Sequence, residues 1–212
     1  MQNHNKPIFE FNGKSYQFKI SQMVLLIIGI PFLIFIIYTF LTLRINYWIY
    51  EFTANQIVFL LKFIFQLNSN VIIDSQHSIF PRIHIPYNPL EGDYAITPDC
   101  IAAHAFSIVI SIIVCIPAST TISNKKEFML RKIKTLLVVI VLFYIINIFR
   151  IALLLFLNYS GIPFDVIHQS LFVLSSIIGA LVFIILLQKW LPELFISIYY
   201  FYFLIFKTKN KH

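Results

Sequence analysis

The chain has 212 residues, of which 59% are hydrophobic and only 12% are charged. Soluble domains have about 45–50% apolar and about 25% charged residues, so the composition excludes an ordinary soluble protein and predicts a polytopic membrane protein. The formal net charge is +7, but in a membrane protein its distribution along the chain matters most, and we expect no nucleic-acid partner.

Four apolar runs are long enough to cross a bilayer, which takes about 20 residues. The first follows a polar, mildly basic segment and has no small-residue cleavage site, which indicates a retained span rather than a signal peptide. The four predicted spans are 23–43, 100–118, 135–157 and 168–189.

Two further segments, 47–67 and 191–206, fit a membrane less clearly. Four polar side chains of the first fall on one stripe at helical spacing. They are Glu51, Asn55, Lys62 and Gln66. We predict an amphipathic helix at the membrane surface or along a groove, with a true span as the alternative. For 190–212 we predict an interfacial helix and a basic tail.

Residues 68–99 form the one sizeable polar region between predicted spans. The stretches VIIDS, RIHI and DYAIT in this region predict short strands, because prolines and a glycine separate them. We expect a small cap on the outer side of the membrane that leads directly into Cys100.

The charge distribution predicts the orientation, because cytoplasmic loops are rich in Lys and Arg. The densest basic cluster is SNKKEFMLRKIK at 123–134, which we therefore place inside. The inner segments would be 1–22, 119–134 and 189–212, and the outer segments 44–99 and 158–167. The inner segments then carry twelve Lys and Arg against three acids, and the outer segments three against six. Both termini are expected to be cytoplasmic.

Arg150 is the one charged residue in the apolar stretch YIINIFRIALLLF at 144–156. It lies about 15 residues from the inner end of its span, so roughly 22 Å into a core about 30 Å thick. A buried Arg costs at least a few kcal/mol and usually faces a bundle interior or a wet cavity. Five polar or reactive residues are predicted at the same depth: Asp99, Cys100, His104, Asn147 and His168.

Each of these residues also has an ordinary structural explanation. Cys100 could be a small buried hydrophobe, and Cys115 is expected to serve packing alone. If the two cysteines share a helix they lie about 22 Å apart, which excludes a disulfide between them. Arg150 could snorkel to headgroups or pair with a nearby carboxylate, and His168 could be an interfacial side chain without a task.

Taken together, the residues favour acyl transfer. A helix N-terminus would favour the Cys100 thiolate, which attacks a carbonyl. His168 would supply general acid and base catalysis, and Arg150 would stabilise the oxyanion or hold the substrate. Asn147 lies one turn before Arg150 and could orient it. His104 follows Cys100 by one turn, and with His168 the two would form a metal site as an alternative.

The motifs TPDCIAAHAF, NIFRIALL and HQSLFVLSSIIG, in this order, resemble those of the exosortase/archaeosortase family of membrane cysteine transpeptidases. The matching residues are Cys100, Asn147 with Arg150, and His168 with Gly179 downstream. The resemblance covers about residues 90–190 and includes the basic loop between the first two helices. The run CIAAHAF lacks the glycine of the CSG-like run that typical members have, and this chain has fewer upstream spans.

The resemblance implies an enzyme whose catalytic residues are Cys100, Arg150 and His168, supported by Asn147, Asp99 and His104. It implies exported substrate proteins with a C-terminal sorting signal, made of a short motif, a transmembrane helix and a basic tail. It also implies a polysaccharide or lipid acceptor, a link to exopolysaccharide production, and a place in the bacterial inner membrane with the active site on the outer side. No metal or other cofactor is implied.

The sequence therefore predicts an all-α polytopic membrane protein, a bundle of about four to six transmembrane helices with a small outer cap containing short strands. The chain 1–212 is expected to form one membrane domain, with a catalytic three-helix core at 100–189. The alternative function is a non-catalytic scaffold or assembly subunit of an envelope or exopolysaccharide system, whose polar residues would hold the helices together.

Overall fold

The computed structural model describes residues 9–11, 14–73, 80–86, 93–119 and 125–209. Within these residues the chain forms six α-helices, one short 3-10 helix and five short strands. The helices are α1 Ile20–Thr42, α2 Tyr47–Phe63, α3 Ala103–Cys115, α4 Lys125–Tyr159, α5 Phe164–Trp190 and α6 Glu193–Lys209, with the 3-10 helix at Arg44–Asn46. The strands are β1 Phe9–Phe11, β2 Lys14–Tyr16, β3 Asn70–Ile72, β4 Arg82–His84 and β5 Tyr94–Ala95.

Among the described residues three helices, α1, α4 and α5, are long and apolar enough to cross a membrane. Helices α4 and α5 contain the predicted spans 135–157 and 168–189, and α1 covers all but the last residue of the predicted span 23–43. Few of their side chains are buried within the protein, as expected for helices whose apolar surface faces lipid. The prediction of a helical membrane protein is confirmed.

Helix α3 is shorter than the predicted span 100–118. It has 13 residues, about 20 Å at 1.5 Å per residue. Its start is delayed because Ala102 adopts a left-handed conformation with φ of 54°. Its end comes before Pro117, whose ring disfavours helical geometry at the preceding residue. The expectation that Cys100 begins the helix is therefore wrong, since Cys100 lies in the turn before it.

Helices α4 and α5 are longer than predicted. Helix α4 has 35 residues because the basic segment, expected as a loop, contains strong helix formers and joins the span directly. The helix ends at Tyr159, and Gly161, two residues later, has a φ of 94°, the left-handed conformation that a glycine provides at a helix C-terminus. Helix α5 begins at Phe164, so His168 lies one turn inside the helix rather than at its start.

Helix α2 buries one stripe of side chains against the cap and α4. Tyr50, Ala54, Ile57 and Leu61 recur at helical spacing and are almost fully buried in one core with cap residues such as Ile83. The predicted polar residues Asn55 and Lys62 are exposed on other faces. Helix α2 is therefore amphipathic, with a buried apolar stripe. Gln66, which was predicted as part of its polar stripe, lies beyond the end of the helix.

The strands form two small antiparallel sheets. The order β3–β4–β5 pairs Val71 with Ile83 and Ile83 with Tyr94, so the three stretches predicted as strands form one sheet. The sheet presents Ile83 to the core with none of its surface exposed. The hairpin β1–β2 has no counterpart in the sequence prediction, which treated 1–22 as a polar segment.

Contacts divide the chain into two compact units. The first comprises 1–34, 108–139 and 183–212, and the second comprises 35–107 and 140–182. Helix α2 and the three-stranded sheet belong wholly to the second unit, and α6 belongs wholly to the first. In the described part of the chain, α1, α3, α4 and α5 belong partly to each.

Candidate functional site

All six residues predicted for the site belong to the second unit. Cys100 lies in a tight turn between β5 and α3. The turn is closed by backbone hydrogen bonds from the N–H groups of Cys100 and Ile101 to the carbonyl of Thr97, at 2.9 and 3.3 Å. Ala103 N–H donates to the carbonyl of Pro98 at 3.1 Å. The turn therefore fixes the Cys100 backbone at the entrance to α3.

The Cys100 thiol is half-buried and lies among polar groups. Its Sγ is 3.6 Å from the Thr97 hydroxyl and 3.7 Å from the carbonyl oxygen of Ala95. The thiol donates to the carbonyl, whereas the hydroxyl can donate to a thiolate. Cys115, in contrast, is buried and packs closely against Gly29. A Cβ added at position 29 would lie only 3.1 Å from the Cys115 sulfur.

Asn147 on α4 reaches the backbone of the Cys100 turn. Its Nδ2 donates to the carbonyl oxygen of Cys100 at 2.5 Å, and the residue is only 4% exposed. Its Oδ1 is buried and has no hydrogen-bond partner among the described residues. Because a buried amide needs partners, Asn147 is a specific polar attachment between α4 and the Cys100 turn.

Arg150 lies one turn further along α4 and contacts the adjacent residue of the same turn. Its Nη2 donates to the carbonyl of Asp99 at 3.4 Å, and the guanidinium carbon lies 5.8 Å above the Phe172 ring. Because Arg150 makes one long hydrogen bond within the described part of the chain, most of its five N–H donors are available to a ligand.

Asp99 and His104 are together at the surface of the second unit. Their closest atoms, Oδ1 and Nε2, are 3.8 Å apart, and the His104 ring stacks on Tyr38 with centroids 4.1 Å apart. The side chains of His104 and Asp99 are 63% and 76% exposed, so the ion pair contributes little to stability. His104 is thus held beside the Cys100 turn.

His168 is exposed on the second turn of α5. Its ring stacks on Phe164 with centroids 5.4 Å apart, and Phe164 in turn stacks on Tyr94 at 6.2 Å. Among the described residues no hydrogen bond joins the His168 ring to Cys100. The structure therefore brings Asn147, Arg150, Asp99 and His104 to the Cys100 turn, and connects His168 to it through aromatic side chains.

Three residues around the site were missed in the sequence: Tyr94, Thr97 and Phe164. Aromatic residues make up 17% of the chain, so neither Tyr94 nor Phe164 stands out by type. Thr97 lies three residues before Cys100, and a turn brings residues at this spacing close together. This spacing was the one signal in the sequence that could have indicated the contact between Thr97 and Cys100.

A metal site built from Cys100, His104 and His168 was one alternative. Within the residues that the structure describes, no three His, Cys, Asp or Glu side chains are grouped closely enough to hold a metal ion. The arrangement is instead a thiol in a turn that a guanidinium contacts through the Asp99 carbonyl, with the His104 imidazole beside Asp99. A thiol and a guanidinium suit attack on a carbonyl and stabilisation of the resulting oxyanion. Searches against protein-family models, curated proteins and solved structures find no match to this chain.

Proposed function

We propose that this membrane protein is a cysteine protease or transpeptidase of the exosortase type, with Cys100 as its nucleophile. One observation carries the proposal. Asn147 and Arg150, one turn apart on α4, donate to the main-chain carbonyls of the adjacent residues Cys100 and Asp99. The same helix therefore holds the Cys100 turn and supplies a cation to that turn.

In the proposed reaction the Cys100 thiolate attacks the carbonyl carbon of the scissile peptide bond. The negative charge that develops on the carbonyl oxygen is stabilised by the free N–H donors of Arg150. The C–N bond then breaks, His168 protonates the leaving amine, and the acyl group remains on Cys100 as a thioester. His168 next takes a proton from an acceptor hydroxyl, amine or water, which attacks the thioester and regenerates the thiol.

The supporting residues keep the reactive groups in place. Asn147 fixes the backbone of Cys100, and the Thr97 hydroxyl can donate to the thiolate at its 3.6 Å separation. Asp99 is part of the turn, and His104 Nε2 lies 3.8 Å from its carboxylate at the surface. The burial of Arg150 in an apolar helix is then explained, because the reaction takes place within the outer part of the membrane.

The substrates we propose are exported proteins that carry a C-terminal sorting signal, delivered to a polysaccharide or lipid acceptor of the envelope. The location we propose is the bacterial inner membrane, with the site outside and both termini inside. The charge distribution supports this orientation, since the inner segments carry twelve Lys and Arg against three acids and the outer segments three against six.

Trapping of the thioester tests the proposal directly. The Cys115→Ala chain, which keeps Cys100 as its one thiol, is purified under acidic conditions and the Cys100 peptide is analysed by mass spectrometry with and without hydroxylamine. We expect a hydroxylamine-labile peptide attached to Cys100, reduced in His168→Gln because the leaving amine loses its proton donor, and missing in Cys100→Ser. A lipid acyl chain in place of a peptide, or an unmodified Cys100 in both chains, overturns the proposal.

The scaffold alternative makes a different prediction for the same variants. A scaffold tolerates Cys100→Ala, because a small apolar residue fills the half-buried position of the thiol. Export and anchoring of envelope proteins in a host that lacks its own copy would then be equal for Cys100→Ala and the unaltered chain.

A further inference from the structure

A continuous set of aromatic contacts leads to His168 within the second unit. The rings of Tyr94 and Phe164 are 6.2 Å apart with an interplanar angle of 23°. The rings of Phe164 and His168 are 5.4 Å apart at 16°. The near-parallel planes restrict rotation of the exposed imidazole, because turning it would lose the contact with Phe164.

A buried amide holds the first ring of this stack. The Tyr94 hydroxyl donates to Oδ1 of Asn158, and Asn158 Nδ2 donates to the carbonyl of Ile162 at 3.0 Å. Asn158 is only 2% exposed, so both of its hydrogen bonds are shielded from water. Asn158 thereby ties β5 to the connection between α4 and α5, just before Phe164.

The same strand touches the nucleophile. Ala95, the residue after Tyr94, offers its carbonyl oxygen to the Cys100 sulfur at 3.7 Å. Tyr94 itself is fixed in the sheet by its pairing with Ile83, a residue with no exposed surface. Direct contacts therefore run from the Cys100 sulfur through β5 and Phe164 to the His168 ring.

We propose that Tyr94 and Phe164 are positioning residues for His168, and that Asn158 fixes Tyr94 for this purpose. They set the distance and orientation of the imidazole relative to the Cys100 thiol. The inference rests on the proposed function, since it assumes that His168 serves Cys100. The inference goes beyond the proposed function because it assigns a role to Tyr94, Phe164 and Asn158, which no sequence motif identified.

The pH dependence of Cys100 alkylation tests the inference without a substrate. The Cys115→Ala chain in detergent is treated with iodoacetamide between pH 5 and 9. The rate profile of a thiol paired with a histidine contains an inflection that belongs to the pair. We expect His168→Gln to abolish that inflection and to slow alkylation at pH 7 by about tenfold.

Variants of the aromatic stack should weaken the inflection and slow alkylation at pH 7, each to a different extent. Phe164→Leu removes the stacking surface, so its profile should approach that of His168→Gln. Tyr94→Phe keeps the ring but loses the hydrogen bond to Asn158, so the inflection should broaden and alkylation at pH 7 should slow about threefold. Phe164→Tyr keeps the stack and should retain the original profile. Phe156→Leu, which disrupts the separate Phe65–Phe156 stack, is the matched control and should leave the profile unchanged.

The outcomes separate the two proposals. If His168→Gln changes the profile while Phe164→Leu and Tyr94→Phe do not, the positioning inference is wrong and the proposed function stands. If His168→Gln leaves the profile unchanged, the role of His168 in the proposed function is wrong as well. A thermal unfolding curve for each variant identifies chains that have lost their fold, and Phe164→Tyr then decides whether the aromatic surface is what matters.

Discussion

Asn147 donates a hydrogen bond from Nδ2 to the main-chain carbonyl of Cys100, 47 positions away in sequence, with an N···O distance of 2.5 Å. The bond attaches the turn that carries the thiol to the helix that carries Arg150. Asn147 is only 4% exposed, so water cannot easily replace this hydrogen bond. Losing the bond would leave the Cys100 carbonyl without its partner on α4.

We predict that Asn147→Ala destabilises the protein by about 1–3 kcal/mol, the cost of an unsatisfied buried polar group. The same substitution should slow alkylation of Cys100, since the turn is no longer held against α4. Thermal unfolding in detergent and the alkylation rate measure the two effects. Asn55→Ala, at an exposed position of α2, is the control, and an equal unfolding midpoint for the two variants would sink the prediction.

Arg150 should be needed for its shape as well as its charge. Lys cannot reproduce the planar fork of donors, so Arg150→Lys should lower the yield of the Cys100 thioester by about 10²-fold, the scale of one lost oxyanion donor. Arg150→Leu should abolish the thioester yet keep or raise the unfolding temperature, because it removes a charge from an apolar helix.

A matched control for this prediction is Arg44→Lys, at an exposed position outside α4. It should leave both the thioester yield and the unfolding temperature unchanged. Arg150→Leu chains that unfold at a markedly lower temperature would instead assign Arg150 a structural role.

Part of this architecture could be predicted from sequence because hydropathy acts locally. The apolar runs gave the three long spans, and alternation with prolines gave the strands Asn70–Ile72, Arg82–His84 and Tyr94–Ala95. Ends of helices were less accurate. The start of α3 depends on the left-handed conformation of Ala102. This conformation could not be predicted from the sequence, because alanine rarely adopts it.

For the candidate site, depth in the membrane was the useful variable. It grouped Asn147 and Arg150 with Asp99 and Cys100, which the structure joins by hydrogen bonds. It could not assign His168 to Phe164 and Tyr94, because a stack between residues far apart in sequence depends on tertiary packing. The catalytic roles of Cys100, Arg150 and His168 stay predictions.

The orientation can be tested by labelling cysteines with a membrane-impermeant maleimide on intact spheroplasts. In the Cys115→Ala background, Cys100 should react from outside, because its thiol is only half-buried and the charge distribution assigns the preceding segment 44–99 to the outer side. In a chain that also carries Cys100→Ala, Ser160→Cys should react from outside and Lys126→Cys only after permeabilisation. Labelling of Lys126→Cys on intact cells would reverse the orientation.

Ala102 adopts a φ of 54°, where a side chain costs roughly 1–2 kcal/mol and glycine costs little. Ala102→Gly should therefore stabilise the protein by about 0.5 kcal/mol, since the greater backbone entropy of glycine in the unfolded chain offsets part of the gain. Ala105→Gly, within α3, should destabilise it by about 0.5–1 kcal/mol. Unfolding midpoints of the two variants should move in opposite directions, and equal shifts would show that Ala102 stores no strain.

In the first unit, an ion pair fixes the start of α6. Arg131 Nη2 lies 2.8 Å from Glu193 Oε1, and Arg131 Nη1 donates to the carbonyl of Trp190 at 3.1 Å. The side chain of Glu193 is 2% exposed and that of Arg131 is 34% exposed. The carboxylate is thus almost completely removed from water, and its position in the first turn of α6 also favours a negative charge.

Removing one partner should cost more than removing both. Arg131→Met leaves Glu193 buried without its cation and should destabilise the protein by about 2–4 kcal/mol, below the upper range for a fully buried pair because Arg131 is partly exposed. The double variant Arg131→Met with Glu193→Leu should recover most of that loss, since no unpaired charge remains. Lys126→Met, at an exposed position of α4, controls for the loss of one positive charge. A double variant as unstable as Arg131→Met alone would mean that packing by the Arg131 side chain, and not its charge, holds α6 in place.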